Sequence, residues 1–484
     1  MYTMGHSVSR PEGWATNVVQ GLRSLVIACL ALLVVGCDGL DDLVGACRPA
    51  ADTESYAFDV AWTRVVQGNQ TASNLAPLLA ERPAGIEVLL TMAHGELRPR
   101  LLDVSATVEV IAEGATVGSL ELTLGCVRSE RSAMRGTIPG AWVRPGAEVH
   151  VTLRSGTMNV TVPDATIVVE PIVAKVPTFE VTVVPLIVGG EHPDTSPDTY
   201  EAWLDAAKRR FAIDRVDLEV HAPLDLDLGD ECVPASKFPA LRELSFYRTS
   251  LESERFFVGV LPCSVGGVAM MPGFVQVTSP GIGATRVFIH ELGHNFGLGH
   301  APCGDPLGID PAYPYEDGVL GLPGFDHVDG TWIAASQADV MGYCAGSWTS
   351  DYHYARSARY RLYQERPLEL TPLADAAMSV SIVVQGELGV DGSLRLTHAA
   401  RRFEPTTRSM LDAAAVGAVV SLVLLGRDGA VLARWHASLM PVDHVDTRLF
   451  SARIAVSEAD GLAALVVRAT HGAQWDERAL VDAD

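Results

Sequence analysis

Apolar and polar positions alternate in short runs over the first third of the chain. Val104, Ala106, Val108 and Val110 alternate with polar neighbours, as do Leu120, Leu122 and Leu124, and then Val149, Val151 and Leu153. A period of two marks strands with one buried face. Turn residues such as Arg144-Pro145-Gly146 separate the runs, so residues 53–174 are expected to form a β-sandwich, immunoglobulin-like in kind. The pattern changes near residue 175. Phe179, Val181 and Val183 predict a strand ending at Pro185, and Ser196-Pro197 then opens a helix with a capping serine and a first-turn proline. Its apolar face is Tyr200, Trp203, Leu204, Ala207 and Phe211. A strand over 215–221, a helix over 239–251, a strand over 255–261 and a capped helix over 350–364 complete a mixed pattern. It predicts an α/β (α+β) catalytic domain over 175–366. From 367 the period of two returns. The apolar run over 416–425 is shorter than the ~20 residues that cross a bilayer and leads into the hairpin turn Gly426-Arg427-Asp428-Gly429. A second sandwich is expected over 367–484. The isolated His221 reads as a structural or surface residue.

One stretch of the mixed region carries chemistry: His290-Glu291-Leu292-Gly293-His294-Asn295-Phe296-Gly297-Leu298-Gly299-His300. Residues four apart share a helix face, so His290 and His294 can address one ion. Gly297 supplies the backbone turn that returns His300 as a third ligand. Three protein ligands leave one position open, the arrangement of catalytic rather than structural zinc. Zinc there would activate a water, with Glu291 as general base and then general acid. Upstream, Gly266-Gly267-Val268-Ala269 reads as a strand whose glycines permit close backbone approach. Gly267, Val268 and Ala269 are candidates for pairing with an extended peptide substrate.

The chain of 484 residues has 59 acidic and 36 basic residues, a net charge of −23. That excess speaks against nucleic acid, whose phosphates need basic patches. At the N-terminus Arg10 and Arg23 precede an apolar run ending in Val34-Val35-Gly36-Cys37. Residues 1–36 read as an export signal, and Val34-Val35-Gly36-Cys37 resembles a bacterial lipobox. Lipidation of Cys37 would tether the protein to a membrane, on the periplasmic or cell-surface side, through an acidic stretch over 37–52. Six cysteines then remain, an even count that suggests disulfides in an oxidising compartment. The preferred pairs are Cys303–Cys344, Cys232–Cys263 and Cys47–Cys126. Asp305, Asp310, Asp317 and Asp326 follow the histidines, but no calcium-loop spacing supports a second metal.

The extended run from His290 to His300 resembles that of the metzincin zinc peptidases. About forty residues downstream, Asp339-Val340-Met341-Gly342-Tyr343 is similar to their methionine turn. The resemblance implies that Met341 forms a hydrophobic floor below the imidazoles. It also implies that Tyr343 ligates zinc or hydrogen-bonds the tetrahedral intermediate. The lipobox, the first β region and His-Asn-Phe-Gly-Leu-Gly-His are more loosely similar to secreted bacterial lipoproteins of this family that cleave mucins. Together these readings predict a membrane-tethered zinc endopeptidase acting on extracytoplasmic proteins or glycoproteins. The alternative is a glycoprotein-binding adhesin with a vestigial zinc site. Nothing in the sequence fixes the oligomeric state.

Overall fold

The computed structural model describes residues 47–484 except 52, 70–75, 96–98, 158, 252, 282, 365–370, 373–378, 403–407, 412–418, 427–428, 443–444, 458–463 and 484. The export segment, Cys37 and most of the acidic stretch lie outside the described residues. Among those described, no helix is long and apolar enough to cross a membrane.

Two four-stranded sheets form the first region. One contains Tyr56–Val66, Ala84–His94 and Arg131–Ile138, and the other Val104–Ala112, Ala115–Thr123 and Glu148–Ser155. Their inner faces share one core, with Ile86, Val88 and Leu90 from one sheet meeting Val104, Val108 and Val151 from the other. The period of two in the sequence is the alternation between this core and solvent.

The middle region is built on a six-stranded sheet. Phe179–Val188 lies at its centre, parallel to Val216–Val220 and Leu224–Leu226 on one side and to Phe256–Val260 on the other. Val275–Thr278 follows in parallel, and Val268–Ala269 closes that side in antiparallel. Helix α1 (Pro197–Arg210) and helix α3 (Ala284–Asn295) cover one face, against Phe179, Val181, Val183, Phe256 and Val258. Helix α2 (Lys237–Ser250) covers the other face, against Val184, Leu186, Val188 and Phe257. Helix α4 (Asp351–Arg359) begins at Ser350, whose Oγ accepts the His353 N–H at 3.3 Å.

The expected fold class, an α/β catalytic domain of metzincin type between two sandwiches, is corrected by this architecture. The protein is multidomain and mostly β, made of sandwiches and sheets, and among the described residues 47% are strand and 16% helix, with four α-helices. The physical reason lies in where helical periodicity stops. The helices span only 9 to 14 residues each. Between α3 and α4 the chain forms loops, one short 3₁₀ turn and the small hairpin of Gly324–Asp326 with Thr331–Ile333.

The last region again has two sheets. Ser379–Leu388, Leu394–Arg402 and Val445–Ser457 face Val419–Gly426, Val431–Ser438 and Ala464–His471. The apolar run thus supplies a buried strand. The flanking regions also touch the middle one. Arg64 donates to the Pro323 carbonyl at 2.8 Å, and Gly68 and Phe325 exchange backbone hydrogen bonds at 2.7 and 3.0 Å. On the other side Gln385 donates to the Arg242 carbonyl at 2.7 Å, and Met271 N–H donates to the Pro441 carbonyl at 3.0 Å. Among the described residues three disulfides are present, Cys47–Cys126, Cys232–Cys263 and Cys303–Cys344, the pairs expected from the sequence.

Candidate metal centre

Helix α3 starts after Gly283 and buries both faces near its end, including Phe288, Ile289 and Leu292. His290 and His294 stand one turn apart on it, 7% and 0% exposed. The helix ends where Gly297 takes a φ of +78°, a conformation that side chains with a Cβ avoid. Gly297 N–H then donates to the His294 carbonyl at 2.8 Å and Leu298 N–H to the Gly293 carbonyl at 3.0 Å. This closes the helix and brings His300 back beside its two partners.

The three imidazoles converge. His290 Nε2 lies 3.1 Å from His294 Nε2 and 3.3 Å from His300 Nε2. Each ring is held from behind. The Nδ1 of His290 meets the Val340 carbonyl at 2.8 Å, that of His294 meets the Leu298 carbonyl at 2.8 Å, and that of His300 meets the Leu307 carbonyl. A carbonyl accepts only, so Nδ1 carries the proton and Nε2 presents its lone pair inward. Such outer partners fix tautomer and orientation in metal sites. A tetrahedral ion about 2.0–2.1 Å from each nitrogen places ligand nitrogens about 3.3 Å apart. The two separations from His290 are close to that spacing, and among the described residues the triad is the group of His, Cys, Asp or Glu side chains gathered closely enough to hold a metal ion.

Glu291, 2% exposed, lines a pocket together with His290, Arg286, Val287, Tyr343, Lys237, Gly266 and Gly267. A Cβ on Gly267 would sit 2.5 Å from Glu291 Oε1. Gly267 is therefore what leaves room for the Glu291 carboxylate. Val268 and Ala269 lie on the end strand of the sheet, both fully buried. Lys237 Nζ donates to the Gly267 carbonyl at 3.1 Å. Just past Ala269, Met270 bridges to Val442 of the last region. The expected substrate strand is thus an edge with one end already covered.

Met341 is fully buried, and its Sδ would lie 2.3 Å from a Cβ on Gly293. The thioether packs against the helix backbone between the two ligand histidines. The Tyr343 ring centre is 5.1 Å from that of His300 and 5.9 Å from that of His290, with the side chain 39% exposed. Its N–H donates to the Cys303 carbonyl at 2.6 Å, beside the Cys303–Cys344 disulfide. His300 and the methionine turn are in this way tied to one another.

Asp339 organises the turn, a role that the sequence reading did not give it. Its Oδ1 accepts Met341 N–H at 2.8 Å, and its Oδ2 accepts Ser350 N–H at 2.7 Å and pairs with His353 Nδ1 at 3.0 Å. Burial pushes the Asp339 carboxyl up, but His353 beside it and the donors from Met341 and Ser350 outweigh burial and hold it below its ordinary value. The signal available in the sequence was Asp339 two residues before Met341, the spacing of a side chain bonding its own turn. Arg286 was also missed. It lies four residues before His290, and its Nη2 donates to the Gly342 and Cys344 carbonyls at 3.1 and 2.8 Å. Of the loop acids, Asp310 pairs with Arg356 at 3.0 Å and Asp326 with Arg209 at 2.9 Å. These contacts account for the placement of both carboxylates. His221 meets Tyr247 Oη at 2.9 Å, a structural contact.

Residues 265–357 match the family model described as Peptidase M66. No curated protein matches the chain. Similar solved structures include a chaperone-substrate complex, 12% identical, covering 42% of this chain and 41% of that one at a TM-score of 0.21. A β-glucuronidase of Bifidobacterium dentium is 10% identical, covering 34% and 31% at 0.16. A β-glucuronidase of Parabacteroides merdae is 9% identical, covering 87% and 78% at 0.17. The chain thus spans less than half the length of the first two, and scores this low carry no argument about fold. The matched segment contains the whole triad, Glu291 and residues 339–343. It supports a peptidase function, with a metal ion suggested by the buried histidines.

Proposed function

We propose that this chain is a zinc-dependent endopeptidase whose metal chemistry is of metzincin type. The observation that carries the reading is the convergence of three Nε2 atoms, each ring held through Nδ1 by a backbone carbonyl. Imidazole nitrogens at this spacing suit zinc. When bound, zinc supplies Lewis acidity, polarising a carbonyl and lowering the pKa of a coordinated water towards about 7.

The protein's own groups do the rest. The Glu291 carboxylate, on the pocket wall beside His290, accepts a proton from the attacking water and hands it to the leaving amine. Tyr343, above His290 and His300, donates its hydroxyl hydrogen to the oxyanion that develops on the scissile carbonyl. Met341 keeps the floor dry and the imidazoles in place. The strand from Gly267 to Ala269 aligns an extended substrate by main-chain pairing. We further propose that the mature protein is a lipoprotein held at an extracytoplasmic membrane face through Cys37, with protein or glycoprotein substrates.

The test is a Glu291→Ala variant. It should keep one zinc per chain by elemental analysis and lose cleavage of a denatured protein by ~10³-fold or more. Phenanthroline should abolish the parent's activity and added zinc restore it. A variant that cleaves like the parent would sink the mechanism.

A further inference from the structure

The pocket beside Glu291 is lined by two cations and one carboxylate, in a chain that is strongly acidic as a whole. The chain carries a net charge of −23 and contains only three lysines, Lys175, Lys208 and Lys237. One of them lines this pocket. Arg286 lines it too, and the one acidic side chain on its wall is Glu291 itself. The two cations come from different elements, Lys237 from the first turn of α2 and Arg286 from the first turn of α3. Two separate pieces of chain thus bring positive charge to one small volume.

Both cations have donors to spare. A lysine offers three N–H groups, and the Lys237 ammonium gives one to the Gly267 carbonyl. A guanidinium offers five. Arg286 uses Nη2 on the Gly342 and Cys344 carbonyls, and among the described residues its Nη1 makes no such bond. The backbone contacts also fix where the charges stand. Lys237 is tied to the glycine that abuts Glu291, and Arg286 to the turn that carries Tyr343.

We propose that this pocket receives a negatively charged group of the substrate, a carboxylate or a sulfate, at the residue next to the scissile bond. The inference rests on the peptidase reading and deepens it by naming a substrate class. The group would belong either to an Asp or Glu side chain or to an anionic sugar on a glycosylated residue. In either case it meets a partly enclosed pair of cations, where a charge-assisted hydrogen bond is stronger than in open water.

The test has a cleavage arm and a binding arm. In the first, the mature protein digests a peptide library, and the residues flanking each cut are read by mass spectrometry. An acidic or acid-bearing glycosylated residue should be enriched beside the cut. Lys237→Glu should reverse that preference towards basic residues. If Lys237 only anchored Gly267, the variant would slow every substrate equally, and that outcome would overturn the proposal. In the second arm the Glu291→Ala variant is titrated by fluorescence anisotropy with three peptides of one backbone. One carries Asp, one a sialylated or sulfated sugar, and one neither. An anionic peptide should bind about tenfold more tightly than the neutral one, and which of the two does so identifies the source of the charge. Equal binding of all three would refute the pocket's role. Absence of all cleavage by the parent would instead count against the peptidase reading, with the binding arm still deciding the pocket.

Discussion

The candidate metal centre has two halves held by different physics. One is α3, whose residues His290, Glu291 and His294 are placed by helical hydrogen bonds and by packing on the sheet. The other is the long segment from His300 to Ser350, which has little regular structure. It is held by the Cys303–Cys344 disulfide, the Asp339 network and the first region's contacts at Pro323 and Phe325. A helix positions its residues by repetition. A loop positions its own by single, specific contacts, so it has more ways to fail. The two halves meet where Met341 packs against Gly293.

Breaking the helical half should have the largest effect on function. His294→Ala removes a fully buried ligand and should eliminate both zinc, by elemental analysis, and activity, while the circular dichroism of the folded protein persists. Survival of zinc at full occupancy would mean that the triad is not the site. In the loop half, Asp339→Asn breaks a buried pair with His353 and should destabilise by about 3–5 kcal/mol in urea titration. The pH dependence has a definite sign. The Asp339 folded-state pKa is lowered, so its stabilisation is present above the unfolded value of about 3.9. It is lost as pH falls through the folded value. The Asn variant should lack this acid limb, and an unchanged limb would assign acid unfolding to other groups.

A Cys303→Ser, Cys344→Ser double variant opens a loop of sequence separation 41 and should cost about 2–4 kcal/mol. Activity should fall with little change in helix content, since only the loop half is released. Gly293→Ala tests the seam between the halves. The new methyl meets Met341 Sδ, and overpacking should cost about 1–3 kcal/mol in thermal unfolding. The smallest effect is expected of Tyr343→Phe, about tenfold in kcat with KM and zinc content unchanged. A change confined to KM would place Tyr343 in substrate binding instead.

The same division explains what was legible in the sequence. Helical spacing is periodic, so His290, His294 and the turn at Gly297 could be read directly. The period of two likewise revealed the strands of both sandwiches, and the even cysteine count suggested pairs the structure contains. Asp339 and His353 are fourteen residues apart and follow no period. Only the fold shows that they touch. Lys237 and Arg286 were hidden for the same reason, lying on two helices that the sheet brings together. The fold class was misread because a few clear amphipathic helices drew attention from the strands and loops that dominate the chain. Gly267 was read as a place for close backbone approach, and that its missing side chain also makes room for Glu291 follows from the fold and from no spacing in the sequence.

The backbone bond from Met271 to Pro441 bears on how this molecule is inherited and handled. The last sandwich finishes the edge of the sheet on which the metal helix rests. A chain ending before that sandwich would present unpaired main-chain groups and the apolar surface beneath Met440, Val442 and Leu449. Exposed edges of this kind recruit other strands and promote aggregation. The peptidase segment is therefore a poor candidate for transfer alone to another protein, and recombinant fragments should include the C-terminal region to stay in solution.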